Sequence, residues 1–201
     1  MEAALKVLIP KILPGQSFDI KPHQGKPDLL GKLRGRLLGY KRWIPAGYGL
    51  VVIVDEDREN CRRLKKRLET LARSAGFLTR SRAKGSAFQL LNWIAIEELE
   101  AWFFGDVHAL IGAYPGVPAT LGNKRRFRDP DAIQGGTWEA LEQVLQTAGY
   151  HRGGLNKIEA ARTIAPHMLP ERNRSGSFQG LLEALDPWTP GSVASEAPNA
   201  P

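Results

Sequence analysis

The sequence has little cysteine and no long apolar run. Cys61 is the single cysteine in 201 residues, so the chain cannot form an internal disulfide bond or supply the paired thiolates of a structural zinc site. No apolar stretch approaches the ~18 residues that a membrane helix requires. The apolar N-terminus contains Glu2, Lys6 and Pro10, which is unlike a signal peptide. We therefore expect a cytoplasmic protein with no membrane segment.

The sequence also lacks the short motifs of several enzyme classes. It contains no GxxxxGK[ST] phosphate-binding loop and no GxSxG nucleophile elbow. His108, His151 and His167 do not show the spacing of metal ligands. The motifs therefore indicate neither a P-loop nucleotidase nor a serine hydrolase.

Positive charge exceeds negative charge. The chain has 28 Lys and Arg against 21 Asp and Glu, a net charge of +7, and its pI is about 9.7. A polyanionic partner is favoured because neutralising phosphates releases counterions. The basic residues cluster in four segments, Lys32–Arg42, Arg58–Arg67, Arg80–Lys84 and Lys124–Arg128. Each segment is either a solvated surface or a contact for nucleic acid.

Strand and helix patterns alternate over residues 1–112, which predicts an α/β core with a mostly parallel sheet. Leu50–Val54 is a largely β-branched run, typical of a strand buried on both faces. Further strands are predicted at residues 17–22 and 88–96, and helices at residues 2–13, 26–40, 58–75, 97–104, 138–148 and 157–165. Residues 113–186 are expected to form a helical extension packed on this core, and residues 187–201, rich in Pro and Ala, a disordered tail.

Two acidic residues follow the first buried strand directly. Asp55 and Asp57 stand at its carboxyl end, which is where open α/β sheets bind ligands. An Asp-x-Asp pair can direct two carboxylates to one side, and carboxylate oxygens are the ligands that Mg²⁺ prefers. The alternative is that Asp57 caps the next helix. The two roles are compatible.

A second acidic pair follows the other buried strand. Glu97 and Glu100 are three residues apart at the predicted transition from strand to helix. If the two strands are neighbours, at least one of these carboxylates faces the same sheet edge as Asp55 and Asp57. The alternative is again a helix N-terminus, where negative charge is favourable.

His23 and Lys26, in the segment HQGK, are candidates for a phosphate contact. The alternative for His23 is a structural role, since an isolated histidine beside a strand end is commonly structural.

Segments along nearly the whole chain resemble the Toprim-like domains of overcoming-lysogenization-defect nucleases. In order, they are MEAALKVLIPKILPG, HQGKPDLLGKLRGRLLGY, VVIVDEDRENC, IAIEELEAWFFGD, FRDPDAI, GGTWEAL, GLNKIEAAR and RNRSGSF. More closely, the chain resembles domain of unknown function 4276, a bacterial family of that class often encoded near ATPases of defence systems. The resemblance implies a Toprim-like α/β fold with helices on both faces of a parallel sheet.

The resemblance also implies Mg²⁺- or Mn²⁺-dependent cleavage of nucleic acid. Asp55 and Asp57 would be metal ligands, and Glu97 or Glu100 would complete a second acidic position. Lys157 and Arg174 would contact phosphate. The implied partners are DNA or RNA and an AAA- or ABC-type ATPase, and a homo-oligomer is compatible with the resemblance.

The chain departs from the Toprim pattern at its first residues. Toprim domains usually begin with a strand that delivers a glutamate, whereas this sequence begins at the following helix, so the first strand and its glutamate are expected to be absent. Either the coding region starts upstream or this copy has lost part of its site. Glu2 replaces the missing glutamate only if the start of the chain folds back over the sheet.

Two functions remain open from the sequence. One is a Mg²⁺-dependent nuclease, alone or as the effector of an ATPase-linked defence system. The other is a non-catalytic nucleic-acid-binding or assembly subunit with a degenerate metal site. A receiver-like phosphotransfer domain is a third reading of acids at strand ends, but no phosphoacceptor context favours it.

Overall fold

A computed structural model describes residues 1–45, 47–57, 59–84 and 87–188. Its helices are α1 (Glu2–Ile12), α2 (Gly25–Trp43), α3 (Cys61–Ser74), α4 (Glu100–Gly105), α5 (Val107–Ala113), α6 (Thr137–Thr147), α7 (Lys157–Ile164) and α8 (Gly176–Leu185). Its strands are β1 (Leu50–Asp55) and β2 (Leu90–Ala95). The chain is therefore a mixed α/β protein in which helix predominates.

The chain divides into two compact units. The strand unit comprises Lys21–Glu97, and the helical unit combines Met1–Ile20 with the described residues from Glu98 onward. The predicted boundary of the α/β core lay at residue 112, so the observed division differs from it. The reason is local to the helical unit, where α1 packs against α7 and the Lys11 ammonium donates to the carbonyls of Ala165, Pro166 and Met168.

The strand unit contains the only sheet among the described residues. β1 and β2 are parallel and pair in register from Leu50 opposite Leu90 to Asp55 opposite Ala95. This confirms the prediction that two strands run parallel. The predicted strand at residues 17–22 is wrong, because those residues have no strand conformation and Pro22 cannot donate to a ladder.

The two strands are buried differently. Every residue of β2 except Trp93 is buried, as expected for a strand covered on both faces. In β1 only Val52 and Val54 are buried, and Val51 is 38% exposed. The prediction that β1 is buried on both faces is therefore wrong, because a β-branched run does not reveal whether the face opposite the core is covered.

Helix α3 begins and packs for reasons visible in its sequence. The Asn60 side chain accepts the Arg63 N–H at 3.0 Å and caps the helix. Leu64, Leu68 and Ala72 recur at helical spacing and are fully buried. They belong to the core of the strand unit, which also includes apolar residues of α2, β1 and β2. The opposite face of α3 is left to charged residues.

The helical unit is built around large aromatic side chains. Trp102 is fully buried, packs edge-on against Phe178 and donates its Nε1–H to Ser177 Oγ at 2.9 Å. Gly105 permits a close approach, since a Cβ there would lie 2.0 Å from Asn173 Oδ1. Helix α8 was not predicted as a separate element, because residues 170–177, which include its start, resemble a loop. Its first turn is set by Ser175, whose Oγ accepts the Phe178 N–H.

Two further expectations concern the C-terminal tail and the lack of a membrane segment. The predicted disordered tail falls mostly on residues 189–201, which lie outside the described residues. Among the described residues, no helix has the length and apolar character needed to span a bilayer.

Candidate acidic site at the strand ends

The ladder between the two strands continues beyond their last residues. The Glu56 N–H donates to the Ala95 carbonyl at 2.8 Å, and the Asp57 N–H donates to the Glu97 carbonyl at 2.8 Å. The backbones that carry Asp55, Asp57 and Glu97 are therefore adjacent at the carboxyl edge of one parallel pair. This is the sheet edge at which α/β proteins bind ligands.

Both loops that leave this edge contain a residue in the left-handed region. Asp57 has φ 50° and Glu97 has φ 58°. This conformation is uncommon outside glycine and costs on the order of 1–3 kcal/mol for a residue that does not favour it. Aspartate tolerates it better than glutamate does. Strain of this kind concentrates at functional sites, and here two strained acidic residues are joined by a hydrogen bond.

Glu56 holds the two loops together. Its Oε1 accepts the Cys61 N–H at 3.1 Å, and its Oε2 accepts the Glu97 N–H at 3.3 Å. The carboxylate therefore caps the start of α3 and fixes the loop after β2 at the same time. Sequence analysis did not select Glu56, although its place between two aspartates was a signal that could have identified it.

Lys26 lies among these acidic residues. Its Nζ donates to the Glu56 carbonyl at 2.6 Å and lies 2.9 Å from Asp57 Oδ2 and 3.6 Å from Glu59 Oε2. The Lys26 side chain is 14% exposed, whereas that of Asp57 is 47% exposed. Sequence analysis predicted a phosphate contact for Lys26, and in the structure this ammonium is the counterion of the acidic loop.

His23 has a different partner. Its Nδ1 lies 2.9 Å from Asp28 Oδ2 at the start of α2. Hydrogen bonds from Lys32 and, to a smaller extent, from His23 and the Gln24 N–H lower the pKa of Asp28 to about 2. The Asp28 carboxylate is therefore ionised at neutral pH and engages His23, whose predicted phosphate contact stays a prediction.

Glu100 lies in the helical unit, beside Lys157, which was named from the sequence, and Glu98, which was missed. Lys157 Nζ is 3.3 Å from Glu98 Oε1, 3.7 Å from Glu100 Oε1 and 4.9 Å from the centre of the Trp138 ring. Glu98 Oε2 accepts the Thr137 hydroxyl and the Trp138 N–H, both at 3.1 Å. Lys157 therefore bridges two carboxylates. Glu98 was overlooked because it lies between the two glutamates that follow the strand pattern.

Burial makes Glu100 costly to ionise. The residue is 6% exposed, and burial raises the pKa of its carboxyl group although the Lys157 charge opposes the change. The folded chain therefore holds a proton on Glu100 at pH values where the unfolded chain has lost it. Stability attributable to this group is complete below the ordinary pKa of 4.5 and is lost as the pH rises through the higher folded value.

We expect Glu100→Gln to remove this pH dependence. Relative to the wild type, the variant should gain stability as the pH rises above 4.5, with a slope of at most about 1.4 kcal/mol per pH unit, and then reach a plateau. Denaturant unfolding at closely spaced pH values measures the effect. Glu183→Gln, at an exposed position of α8, is the control, and parallel pH profiles for Glu100→Gln and the wild type would contradict the expectation.

Arg174 is placed by its backbone. Its N–H donates to the Gly105 carbonyl at 2.9 Å, and its exposed guanidinium lies close to Gly122, where an added Cβ would be 2.8 Å from Nη2. Its predicted phosphate contact stays a prediction.

The described residues offer a metal ion fewer ligands than the sequence predicted. Residues 1–45, 47–57, 59–84 and 87–188 contain no group of three or more His, Cys, Asp or Glu side chains arranged to hold a metal. Mg²⁺ is also bound by one or two carboxylates together with waters and substrate phosphates. Metal binding by Asp55, Asp57, Glu97 or Glu100 therefore stays a prediction.

Comparison with known proteins identifies the family but no relative of known function. A family model described as a domain of unknown function (DUF4276) matches residues 1–186. No curated protein and no solved structure matches the chain. The family predicted from the sequence motifs is thereby confirmed, while the relationship to Toprim domains stays a prediction.

Proposed function

The chain belongs to the DUF4276 family, and we propose that it is a Mg²⁺- or Mn²⁺-dependent nuclease whose acidic site lies at the carboxyl ends of β1 and β2. One observation carries the proposal. Asp57 and Glu97 are both in the left-handed conformation, and the Asp57 backbone N–H donates to the Glu97 carbonyl at 2.8 Å directly beyond two parallel strands. Two acidic loops held in strained conformations at this edge are better explained by ligand binding than by stability alone.

The chemistry of the site favours a phosphate substrate. Asp55 and Asp57 would hold the ion together with oxygens of the substrate, and a Mg²⁺ ion in such a position activates water and neutralises charge on phosphate. Lys26 keeps Asp57 in place through a 2.9 Å ion pair before the ion binds. The net charge of +7 favours a polyanion, and thus a nucleic acid, as the source of the phosphate.

A second candidate function is supported by the small ligand set. A non-catalytic nucleic-acid-binding or assembly subunit would retain the fold and positive charge without a working metal site. The absence of a three-ligand group from the described residues favours this alternative, as does the pairing of Asp57 with Lys26.

The two candidates differ in a single assay. Under the nuclease proposal, the purified chain should cleave single-stranded or duplex DNA or RNA with Mg²⁺ or Mn²⁺, and cleavage should fall to background when EDTA is added. Binding to the same labelled substrates is measured in Ca²⁺ to separate association from chemistry. Binding without cleavage of any substrate in either metal would reject the nuclease and favour the binding subunit.

A further inference from the structure

The positive charge of this protein is concentrated in one segment. Residues 61–84 contain nine Lys and Arg and a single acidic residue, a net charge of +8, whereas the whole chain carries +7. The rest of the sequence therefore has a net charge of −1. The basic residues of the segment are Arg62, Arg63, Lys65, Lys66, Arg67, Arg73, Arg80, Arg82 and Lys84. The first six belong to α3. Arg80 and Arg82 lie in the 3₁₀ turn Arg80–Arg82 that follows the helix, and Lys84 lies just after that turn.

The packing of α3 directs these cations outward except Lys65, whose ammonium donates to the Asn92 carbonyl of β2 and pairs with Glu69. Leu64, Leu68 and Ala72 occupy the buried side of the helix, and the exposed side presents Lys66 and Arg73. Because the apolar stripe is used for the core, α3 has no apolar residues left to insert into a bilayer, as an interfacial helix would require. The exposed face is therefore suited to a hydrophilic polyanion.

The one acidic residue of the segment serves an internal role. Glu69 accepts hydrogen bonds from Thr79 at 2.5 Å, Ser81 at 2.7 Å and Asn92 at 2.9 Å. Burial alone would raise the pKa of Glu69, but these hydrogen bonds outweigh it and lower the pKa. Glu69 thus remains an anion that ties the turn Arg80–Arg82 to α3.

A hollow lies between α3 and this turn. It has a volume of about 200 Å³ and is lined by Lys66, Glu69, Thr70, Arg73 and Arg82. Within the part of the chain that the structure describes, Lys66, Arg73 and Arg82 form no ion pair. The nearby Glu69 carboxylate pairs with Lys65 instead. Three cations around one open hollow make a favourable position for a phosphate group.

We propose that the outer face of α3, together with the turn Arg80–Arg82, is the surface on which the phosphate backbone of duplex nucleic acid docks. From Arg62 to Arg73 the helix extends ~16 Å, which corresponds to about five base pairs of duplex. The hollow then receives one phosphate group. This inference rests on the nucleic-acid substrate of the proposed function, but it does not depend on catalysis.

The test compares two variants with equal loss of charge. Lys66→Gln/Arg73→Gln/Arg82→Gln removes the cations of the hollow, and Lys124→Gln/Arg125→Gln/Arg152→Gln removes three exposed cations of the helical unit. Binding to labelled duplex DNA and duplex RNA is titrated in Ca²⁺ at several salt concentrations. Each lost phosphate contact should reduce the slope of log K against log salt by about 0.9, so the first variant, which loses the single phosphate of the hollow, should lose about 0.9 and the control much less.

The outcomes separate this inference from the proposed function. Equal slopes for the two variants, or a wild-type slope in the first variant, would overturn the docking surface even if the wild type cleaves nucleic acid. A wild type that binds through this face without cleaving would retain the docking surface and reject the nuclease. Binding of phosphatidylserine vesicles, not displaced by duplex and lost in the first variant, would instead identify a membrane ligand and overturn the proposal. Circular dichroism verifies that both variants fold.

Discussion

Replacing Arg172 by methionine is expected to lower the free energy of unfolding by about 3–5 kcal/mol, because the change leaves a buried carboxylate without its counterion. Asp106 is 1% exposed, and Arg172 contacts it with two hydrogen bonds, from Nε to Oδ1 at 2.7 Å and from Nη2 to Oδ2 at 2.9 Å. The hydrogen bond to Asp106 also raises the pKa of the Arg172 guanidinium. Chemical denaturation of the helical unit, followed by tryptophan fluorescence, measures the loss.

The matched control for this pair is a second salt bridge in the same unit. Lys6→Met breaks the Lys6–Glu2 pair, whose atoms are 2.7 Å apart but whose side chains are 61% and 38% exposed. Exposed pairs of this kind contribute at most about 1 kcal/mol. If the two variants lost the same small amount, the Asp106 carboxylate would be better hydrated in solution than its burial indicates. Each variant removes one cation from an ion pair, so the difference between their losses of unfolding free energy measures the effect of burying the carboxylate.

Local sequence was sufficient to predict the parts of the fold that are determined by neighbouring residues. A helix was predicted over residues 58–75, and α3 forms within that range with Leu64, Leu68 and Ala72 buried, but its cap is Asn60 and not the alternative Asp57. The two apolar runs predicted parallel strands, and β1 and β2 pair as expected. These features depend on contacts within a few residues or on the rule that neighbouring parallel strands end at one edge.

Partners that are distant in sequence could not be predicted. Lys26 precedes Asp57 by 31 residues, and no local pattern indicates that its ammonium lies 2.9 Å from that carboxylate. Glu98 likewise obtains its role from Trp138 and Lys157, which are contributed by other helices. From sequence alone, a charged side chain is interpreted as a solvated surface residue, because its distant partner is not known. For this reason the sequence predicted where the acidic residues lie but not which of them are already neutralised.

Lys26→Met and Asp57→Asn are expected to change metal affinity in opposite directions. If Asp57 is a metal ligand, its loss should weaken Mn²⁺ binding and reduce Mg²⁺-dependent cleavage by on the order of 100-fold, the scale of a mispositioned reacting group. Removing the Lys26 charge should strengthen Mn²⁺ binding by about tenfold. That change is ~1.4 kcal/mol, well below the ~4 kcal/mol between two unit charges 4 Å apart at an effective dielectric constant of ~20.

Electron paramagnetic resonance titration with Mn²⁺ measures affinity without requiring activity, and Lys32→Met supplies the control. Lys32 is on α2 with Lys26 and loses the same charge, but its Nζ lies 2.5 Å from Asp28 Oδ1, away from the acidic loop. Tighter Mn²⁺ binding in Lys26→Met but not in Lys32→Met would assign the ion to Asp57, since a general change in net charge would affect both variants equally. Unchanged affinity in both Asp57→Asn and Lys26→Met would place any metal elsewhere and leave the Lys26–Asp57 contact as a purely structural ion pair.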